Sequence, residues 1–498
     1  SITSMYLERL QIIDREGKLL TRGATTEHTL LNAGFNLLGT SLAAQEYWDN
    51  HRALDYLLTR KDIDPEHIGV YGSSGGGTQT AYYIGLDPRV KVAAICSFFS
   101  TRERTMELQG PSDGCQHIPY EGREQLEVPD FALMMAPRPL LILSGKYDFV
   151  DLWGAQQGFA ELQQCYKVLG VPEKVDMLTV ETGHGLGAEK RQKLVSWFKR
   201  WLKDNQSPVK KAAQDRFQLS DMLCTTKGQV NVSMPGALSI MQENVNQLDE
   251  WASKREAFLS KGKKTVQTKM LDLLGLKGLP DHKIRIEATG HDSMREYEQY
   301  KFQLIREGEM PVPCILIMPS RANADSPIEL RLQEEGKGTY LSEYANFAAA
   351  LTEGKILLLA DLRGLGETTD PAFYTDAKYW NREYRNAMIS MHIGRPIMGQ
   401  RVVDILTLLD FCSEHELLKG HPVKVFANGI YGPAVIHAAY LDERINSVEI
   451  THSVKTWKEY IEKPMQWDMY SNVLYGALKY YDLPDLIRLS NRPIRFAD

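Results

Sequence analysis

Apolar runs of strand length alternate with amphipathic segments over residues 1–203. Within the amphipathic segments the apolar residues recur at helical spacing, so each one predicts a helix that packs against a sheet. Strands that alternate with helices favour a parallel sheet with helices on both faces, which is the α/β class. We therefore predict strands at residues 67–72, 90–98, 138–144 and 174–180, and helices at residues 75–86 and 188–202.

A polar stretch at residues 204–219 separates this block from a second one. The stretch contains Pro208 and a short basic run, a composition typical of a solvated linker. Residues 220–498 then show apolar runs and helical segments again, so we expect a second α/β domain there. Its predicted helices lie at residues 234–274, 401–411 and 434–441, and its predicted strands at residues 313–318, 355–360 and 423–427.

The two blocks align with each other in a single register. The segment LDPRV, residues 86–90, falls opposite LDERI, residues 441–445. Several anchors that hold one register predict a tandem duplication. The other paired anchors are residues 54–56 with 409–411, Pro129-Asp130 with Pro484-Asp485 and, after a slip of one residue, Arg138-Pro139 with Arg492-Pro493.

The register also predicts that the two blocks differ in extent. Glu8-Arg9 falls about where Glu367-Thr368 does, just after the predicted turn DLRGLG, residues 361–366, of the second block. The predicted strands ahead of that turn have no counterpart before Ser1. The second block stops on the strand that matches residues 138–144. We expect either that the chain lacks residues of a longer protein or that each domain is an incomplete version of its fold.

Composition narrows the class of protein. The 498 residues are 43% hydrophobic and 24% charged, with a net charge of −6, which excludes a strongly basic nucleic-acid binder and a disordered acidic tail. The length predicts two or three domains. No apolar stretch approaches the ~20 residues of a membrane helix, and Ser1–Arg9 shows no signal-peptide pattern.

The cysteines carry no recognisable framework. Cys96 and Cys314 lie inside apolar runs and are predicted to be buried thiols. Spacings typical of zinc or iron–sulfur ligands are absent, so we expect no metal or other cofactor. So few cysteines in so long a chain do not predict a disulfide scaffold either. The six are Cys96, Cys115, Cys165, Cys224, Cys314 and Cys412.

Residues 72–76 fit the pattern G-x-S-x-G, directly after a predicted strand and directly before a predicted helix. This context is that of a nucleophile elbow, a strained turn that lifts a serine hydroxyl above the sheet. Ser74 has glycine two residues away on both sides, where side chains are expected to collide with the turn. Ser73 has Tyr71 behind it, so Ser74 is the predicted nucleophile.

The glycines of this loop do not predict a phosphate cradle. A P-loop needs a lysine where Thr78 stands, and a dinucleotide-binding loop needs a glycine where Thr80 stands.

A serine nucleophile needs a base, and the base needs an orienting acid. In elbow-bearing folds the chain order is serine, acid, histidine. Asp148 follows the predicted strand 138–144 and is the expected acid, with Asp151 in reserve. His184 follows the last predicted strand between two glycines and is the expected base.

The other parts of a site are less defined. The N–H of Gly75 is the expected first oxyanion donor, while no residue can be named for the second. The loop at residues 110–117 is expected either to wall the pocket, with Gln116 and His117 touching substrate, or to be a plain polar loop. In the second block Gly429 replaces the serine and Tyr431 replaces Gly76, so no triad is expected there, and His437 is expected to be an ordinary helix residue.

The first block resembles the acetyl xylan esterase-like α/β-hydrolases of polysaccharide-degrading bacteria. The resemblance runs from about Glu8 to Leu202 and rests on five segments. It implies a triad of Ser74, Asp148 and His184, carbohydrate esters as substrates, and export to the periplasm or beyond. It also implies two tandem α/β-hydrolase-like domains, the second degenerate. The segments are GVYGSSGGG, LDPRVKVAAICSFFS, GPSDGCQHIP, MAPRPLLILSGKYDFVD and ETGHG.

Three functions stay open at this stage. The leading one is a serine esterase that deacetylates plant polysaccharide or its fragments. The second keeps the triad but acts on a uronic-acid methyl ester or a peptide. The third is a glycan-binding or scaffolding pseudohydrolase. We expect a carbohydrate ester as partner and no nucleic acid, and the oligomeric state is not predicted.

Overall fold

The computed structural model describes residues 24–209, 218–225, 233–343, 345–371 and 380–497. Predictions about the start of the chain, including the place of Glu8-Arg9, lie outside these ranges, as do residues 210–217 of the predicted linker. The chain divides into two compact units. Unit 1 comprises Ser1–Asn32 and Ser41–Glu243, and unit 2 comprises Ala33–Thr40 and Asn244–Asp498.

Unit 1 contains a parallel sheet with the order β1-β2-β3-β4. Every residue of β2 and β3 is buried, as expected for apolar strands that are covered on both faces. This confirms the predicted parallel sheet. The strands are β1 (Gly69–Ser73), β2 (Val92–Cys96), β3 (Leu140–Gly145) and β4 (Val175–Val180).

Helices cover both faces of this sheet because successive side chains of each strand point to opposite sides. On one face Ile95 and Ile142 pack with residues of α2, α3 and α6. On the other face Cys96 and Leu141 pack with Trp197 of α7. The helices are α1 (Ala24–Leu37), α2 (Leu42–Thr59), α3 (Gly75–Ile84), α4 (Arg102–Gln109), α5 (Val128–Leu133), α6 (Leu152–Val168) and α7 (Ala188–Lys203).

Unit 2 contains a mixed sheet with the order β12-β11-β10-β8-β9-β7-β6-β5. Strands β12 to β9 in this order pair in parallel, whereas β9, β7, β6 and β5 pair antiparallel. The strands are β5 (Arg285–Ser293), β6 (Tyr297–Ile305), β7 (Val312–Pro319), β8 (Ile328–Leu332), β9 (Ile356–Ala360), β10 (Val423–Asn428), β11 (Ile445–Thr451) and β12 (Ile494–Phe496).

The helices of unit 2 include one that is buried almost throughout, α13, in keeping with its strongly apolar sequence. No helix in the described part of the chain is long and apolar enough to cross a membrane. The helices are α8 (Ile240–Leu259), α9 (Lys263–Leu273), α10 (Lys337–Ser342), α11 (Ala345–Thr352), α12 (Tyr384–His392), α13 (Ile397–Glu414), α14 (Gly432–Leu441), α15 (Lys458–Glu462) and α16 (Leu483–Leu489).

The two units share an ion-pair arrangement at the end of the helix that follows β1 in unit 1 and β10 in unit 2. In unit 1, Arg89 Nη1 lies 2.5 Å from Asp55 Oδ1, and Arg89 Nη2 lies 2.6 Å from Asp87 Oδ2. These residues belong to the anchors that align the two blocks. The pairs at matching positions of unit 2 are Arg444 with Asp410, at 2.7 Å, and Arg444 with Asp442, at 2.6 Å.

The helices α5 and α16 also begin in the same way. Each carries proline in its first turn and a capping box whose third helical residue is an aspartate, Asp130 in α5 and Asp485 in α16. A capping box pairs backbone N–H groups that the first turn leaves without a helical partner. The anchor Pro129-Asp130 with Pro484-Asp485 is therefore a helix start in both units.

Candidate active site

Ser74 occupies the sharp turn between β1 and α3. Its backbone angles are φ 58° and ψ −123°, a region in which residues other than glycine are strained. A Cβ at Gly72 would overlap the carbonyl oxygen of Gly76 and lie 2.8 Å from Thr80 Oγ1. Glycine is therefore required two residues before Ser74, because the strand and the helix meet there.

The expectation of a second collision, two residues after Ser74, is wrong. A Cβ at Gly76 would meet no atom within 4 Å, because this position faces open space. The next glycine carries the constraint instead, since a Cβ at Gly77 would lie 2.8 Å from the carbonyl oxygen of Cys96 and 2.9 Å from Phe98 Cβ. Gly77 lets α3 pack closely against the end of β2.

The backbone N–H of Gly75, the predicted oxyanion donor, lies at the N-terminus of α3, next to Ser74. Gly75 is the first residue of α3, and the first N–H groups of a helix have no acceptor within the helix. The helix dipole adds a partial positive charge at the same end. A negative oxygen that develops next to Ser74 would meet both.

The loops after β3 and β4 bring Asp148 and His184 together. His184 Nδ1 donates to Asp148 Oδ1 at 2.8 Å. The two loops are tied by backbone hydrogen bonds, including that from the Tyr147 N–H to the Thr182 carbonyl oxygen at 3.1 Å. A Cβ at Gly145 would lie 2.6 Å from the same oxygen, so glycine at the end of β3 is what permits this approach.

The Asp148 carboxylate is held in its ionised form. The side chain is 1% exposed, and burial alone would raise its pKa. Hydrogen bonds from His184 and from the Val150 N–H outweigh burial and bring the pKa of Asp148 below its ordinary value. An ionised acid on Nδ1 fixes the imidazole as the tautomer whose Nε2 is free to accept a proton.

Sequence reasoning missed two residues behind this pair. Lys190, on α7, is fully buried, and its Nζ donates to Ser97 Oγ at 3.2 Å and to the Gly185 carbonyl oxygen at 3.0 Å. The Gly185 N–H also donates to Ser97 Oγ, at 3.1 Å. Ser97 and Lys190 thus hold the backbone next to His184. No spacing motif joins these two positions.

His184 is held from its ring face as well. Phe149 stacks on it with ring centroids 4.2 Å apart and an angle of 21°. Within the described residues no hydrogen bond joins Ser74 to His184. Catalytic hydrogen bonds are often long in the absence of substrate and tighten when it binds.

The remaining predicted site residues have structural partners. His117 is 4% exposed, and its Nε2 accepts from the Ser112 N–H at 2.9 Å, so its contact with substrate stays a prediction. Gln116 is half-buried, and its backbone carbonyl oxygen accepts from Tyr82 Oη at 2.9 Å. Asp151, the reserve acid, caps α6 by accepting from the Gly154 N–H at 2.7 Å.

At the matching turn of unit 2 a carboxylate lies where unit 1 has the side chain of Ser74. Gly429 has φ 62°, close to that of Ser74, and a Cβ there would overlap Glu334 Oε2. The same oxygen accepts from the Ile430 N–H at 3.1 Å, the donor that corresponds to Gly75. Arg382 Nη2 lies 3.3 Å from it. His437 is buried and bonds the Pro433 carbonyl oxygen, as expected of a helix residue.

Residues 38–205 match the model of the prolyl oligopeptidase family, Peptidase_S9. The chain is also 26% identical, over 168 residues, to a protein of Bacillus subtilis (strain 168) assigned as a hydrolase, YtaP. That alignment covers 33% of this chain and 56% of the relative, so the chain spans little more than half of the relative's length.

Several solved structures of esterases resemble the chain loosely. A Bacteroides fragilis protein assigned as an acetyl xylan esterase aligns over 49% of this chain and 68% of its own, with 14% identity and a TM-score of 0.41. Acetyl xylan esterase 1 from Thermoanaerobacterium sp. aligns over 47% and 77%, with 15% identity and a TM-score of 0.32. TM-scores this low carry no assignment of substrate.

The strand-to-helix turn at Ser74 and the parallel sheet covered on both faces give unit 1 the fold of the α/β hydrolases. The resemblance predicted for the first block is thereby confirmed at the level of fold.

Proposed function

We propose that the protein is a serine esterase that removes acetyl groups from carbohydrate esters, with Ser74 as nucleophile, His184 as base and Asp148 as orienting acid. The observation that carries the proposal is the hydrogen bond of 2.8 Å between His184 Nδ1 and the buried carboxylate of Asp148. It leaves Nε2 of the imidazole ready to accept a proton.

The proposed reaction proceeds through an acyl-enzyme. Ser74 Oγ attacks the ester carbonyl carbon while its proton passes to Nε2 of His184. The Gly75 N–H stabilises the negative charge on the carbonyl oxygen. His184 then gives the proton to the departing sugar oxygen. Water attacks the acetyl-serine in the same way, and acetate leaves with Ser74 Oγ protonated again.

Aromatic side chains beside the triad support a carbohydrate substrate. Tyr147 and Phe149 flank Asp148 and are 65% and 61% exposed. Exposed large apolar side chains beside a catalytic group mark a contact surface, and flat rings suit the apolar faces of sugar rings. A substrate of this kind is consistent with a protein that works in the periplasm or outside the cell.

Product analysis tests the proposal. Acetylated xylan, methylated pectin and a peptide anilide are incubated in parallel with wild type and with Ser74→Ala. We expect acetate release by the wild type, and a rate of acetate release at least about 10⁴-fold lower in Ser74→Ala. Equal acetate release by the two proteins would refute the Ser74 mechanism. Methanol as the main product would replace acetyl with methyl esters as the substrate class.

The family match favours a second candidate, an oligopeptidase, because the matched model is that of prolyl oligopeptidases. The same triad geometry can cleave an amide. Anilide cleavage at a higher kcat/KM than acetate release would favour this candidate.

We further propose that unit 2 is a degenerate copy of unit 1 and does not catalyse hydrolysis. The matching ion pairs of Arg89 and Arg444 support a duplication. The Glu334 carboxylate on the Ile430 N–H supports the loss of catalysis, because it occupies the position that an oxyanion would need.

A further inference from the structure

Three side chains that are common metal ligands converge inside unit 1. His28 lies on α1, Glu46 on α2 and Cys115 on the 3-10 turn Gly114–Gln116. His28 Nδ1 lies 3.1 Å from Cys115 Sγ and 3.5 Å from Glu46 Oε1. One ligand atom from each residue lies within 4.8 Å of the other two. The three atoms are therefore close enough to one another to ligate the same small cation.

The cluster is buried and poorly paired. Glu46 and Cys115 are each 4% exposed. Within the described residues, Glu46 Oε1 and His28 Nε2 have no hydrogen-bond partner. Native proteins pair nearly all buried polar atoms, so a bound cation at Glu46 Oε1 would remove an energetic cost.

We propose that His28, Glu46 and Cys115 form a zinc site with three protein ligands. Zinc binds nitrogen, oxygen and sulfur at about 2.0–2.3 Å in tetrahedral geometry, which places two ligand atoms roughly 3.4–3.6 Å apart. The observed separations of 3.1 Å and 3.5 Å come close to this. Magnesium and calcium prefer oxygen ligands alone, so a thiol and an imidazole favour zinc.

The site would join three segments that are distant in sequence. The Gly114 N–H already donates to Thr29 Oγ1 at 2.9 Å, which places the turn Gly114–Gln116 beside α1. Zinc would add a stronger link among α1, α2 and this turn. A fourth position remains for water, as in open three-ligand sites. The ligands come from three elements, which explains why no sequence spacing predicts the site.

The test measures zinc in the purified full-length protein. We expect one zinc per chain after dialysis against zinc and then against metal-free buffer. Mutation of residues that hydrogen-bond to zinc ligands typically weakens zinc binding about 10–100-fold. Mutation of a ligand itself should cost more, so we expect Cys115→Ser and Glu46→Gln each to weaken binding by at least about 100-fold. The control Cys224→Ser removes an exposed thiol and should keep full zinc content. Wild type without zinc, or Cys115→Ser with a full complement, would overturn the proposal.

A second measurement does not depend on folding of the variants. Cobalt replaces zinc in such sites, and a cysteine ligand gives a sulfur-to-cobalt charge-transfer band in the near ultraviolet. We expect this band in the wild type with one equivalent of cobalt, and its loss when zinc is added. Bound cobalt without the band would show that Cys115 is not a ligand and that His28 and Cys115 form only a hydrogen bond.

Discussion

At the scale of single residues, the proposed catalysis depends on how Asp148 and His184 are held. Chain order and strand-end positions predict Ser74, Asp148 and His184, which follow β1, β3 and β4. Ser97 and Lys190 could not be predicted, since a buried lysine acts here through a backbone carbonyl and a hydroxyl. The sequence also suggests His117 as a substrate contact. In the structure its ring is buried and its Nε2 accepts from the Ser112 N–H.

Asp148→Asn tests the orienting acid. The amide introduced by this change carries no negative charge, so it no longer favours the His184 tautomer with the proton on Nδ1. Because the other tautomer cannot accept a proton at Nε2, kcat should fall by about 10³–10⁴-fold. The matched control is Asp151→Asn, three residues away. It weakens the cap of α6 and the ion pair with Arg104, so stability should fall by about 1 kcal/mol, with kcat unchanged. A large loss of kcat in the control alone would make Asp151 the acid.

Lys190→Met tests the buried lysine as a positioning residue. The change keeps the length of the side chain but removes the donor to Ser97 and Gly185. We expect kcat to fall by about 10-fold with KM nearly unchanged, since a displacement of catalytic groups acts on the reaction step. Lys193→Met on the same helix removes a partly exposed lysine paired with Asp176 and should leave kcat unaltered. Equal kcat values for wild type and Lys190→Met would contradict the role.

At the scale of elements, the two units share a strand-to-helix turn with a residue of positive φ. This residue is Ser74 in unit 1 and Gly429 in unit 2. The apolar runs predicted the buried strands well, because those strands are covered on both faces. The hairpin of β5 and β6 escaped prediction, since β5 faces solvent along much of its length and its sequence RIEATGHDS is largely polar. The exchange of β8 and β9 in the sheet order is a tertiary feature that no local pattern encodes.

Reciprocal swaps at the two turns test this view. Ser74→Gly should abolish activity but keep or raise stability, because glycine relieves a strained conformation that costs of order 1–3 kcal/mol. Gly429→Ser should give no activity and lower stability by about 1–3 kcal/mol, since its Cβ would overlap Glu334. Chemical denaturation and an acetate assay measure both effects. Acetate release by the double variant that combines Ser74→Gly with Gly429→Ser would refute the degenerate state of unit 2.

At the scale of the whole molecule, we interpret the chain as two versions of one fold with one proposed active site. The single register predicted from LDPRV and LDERI coincides with matching ion pairs and matching capping boxes in the two units. The two units have these features in common because the same charged pairs and the same capping aspartates stand at matching positions. Substrate choice could not be predicted, since it depends on exposed side chains such as Tyr147 and Phe149, which follow no periodic pattern.

Covalent labelling of the nucleophile tests the central claim most directly. The full-length protein is treated with a fluorophosphonate, which reacts only with an activated serine, and the adduct is located by peptide mass spectrometry. The account predicts one adduct per chain on Ser74, and none in His184→Ala. No adduct in the wild type, or an adduct on a serine of unit 2, would contradict it.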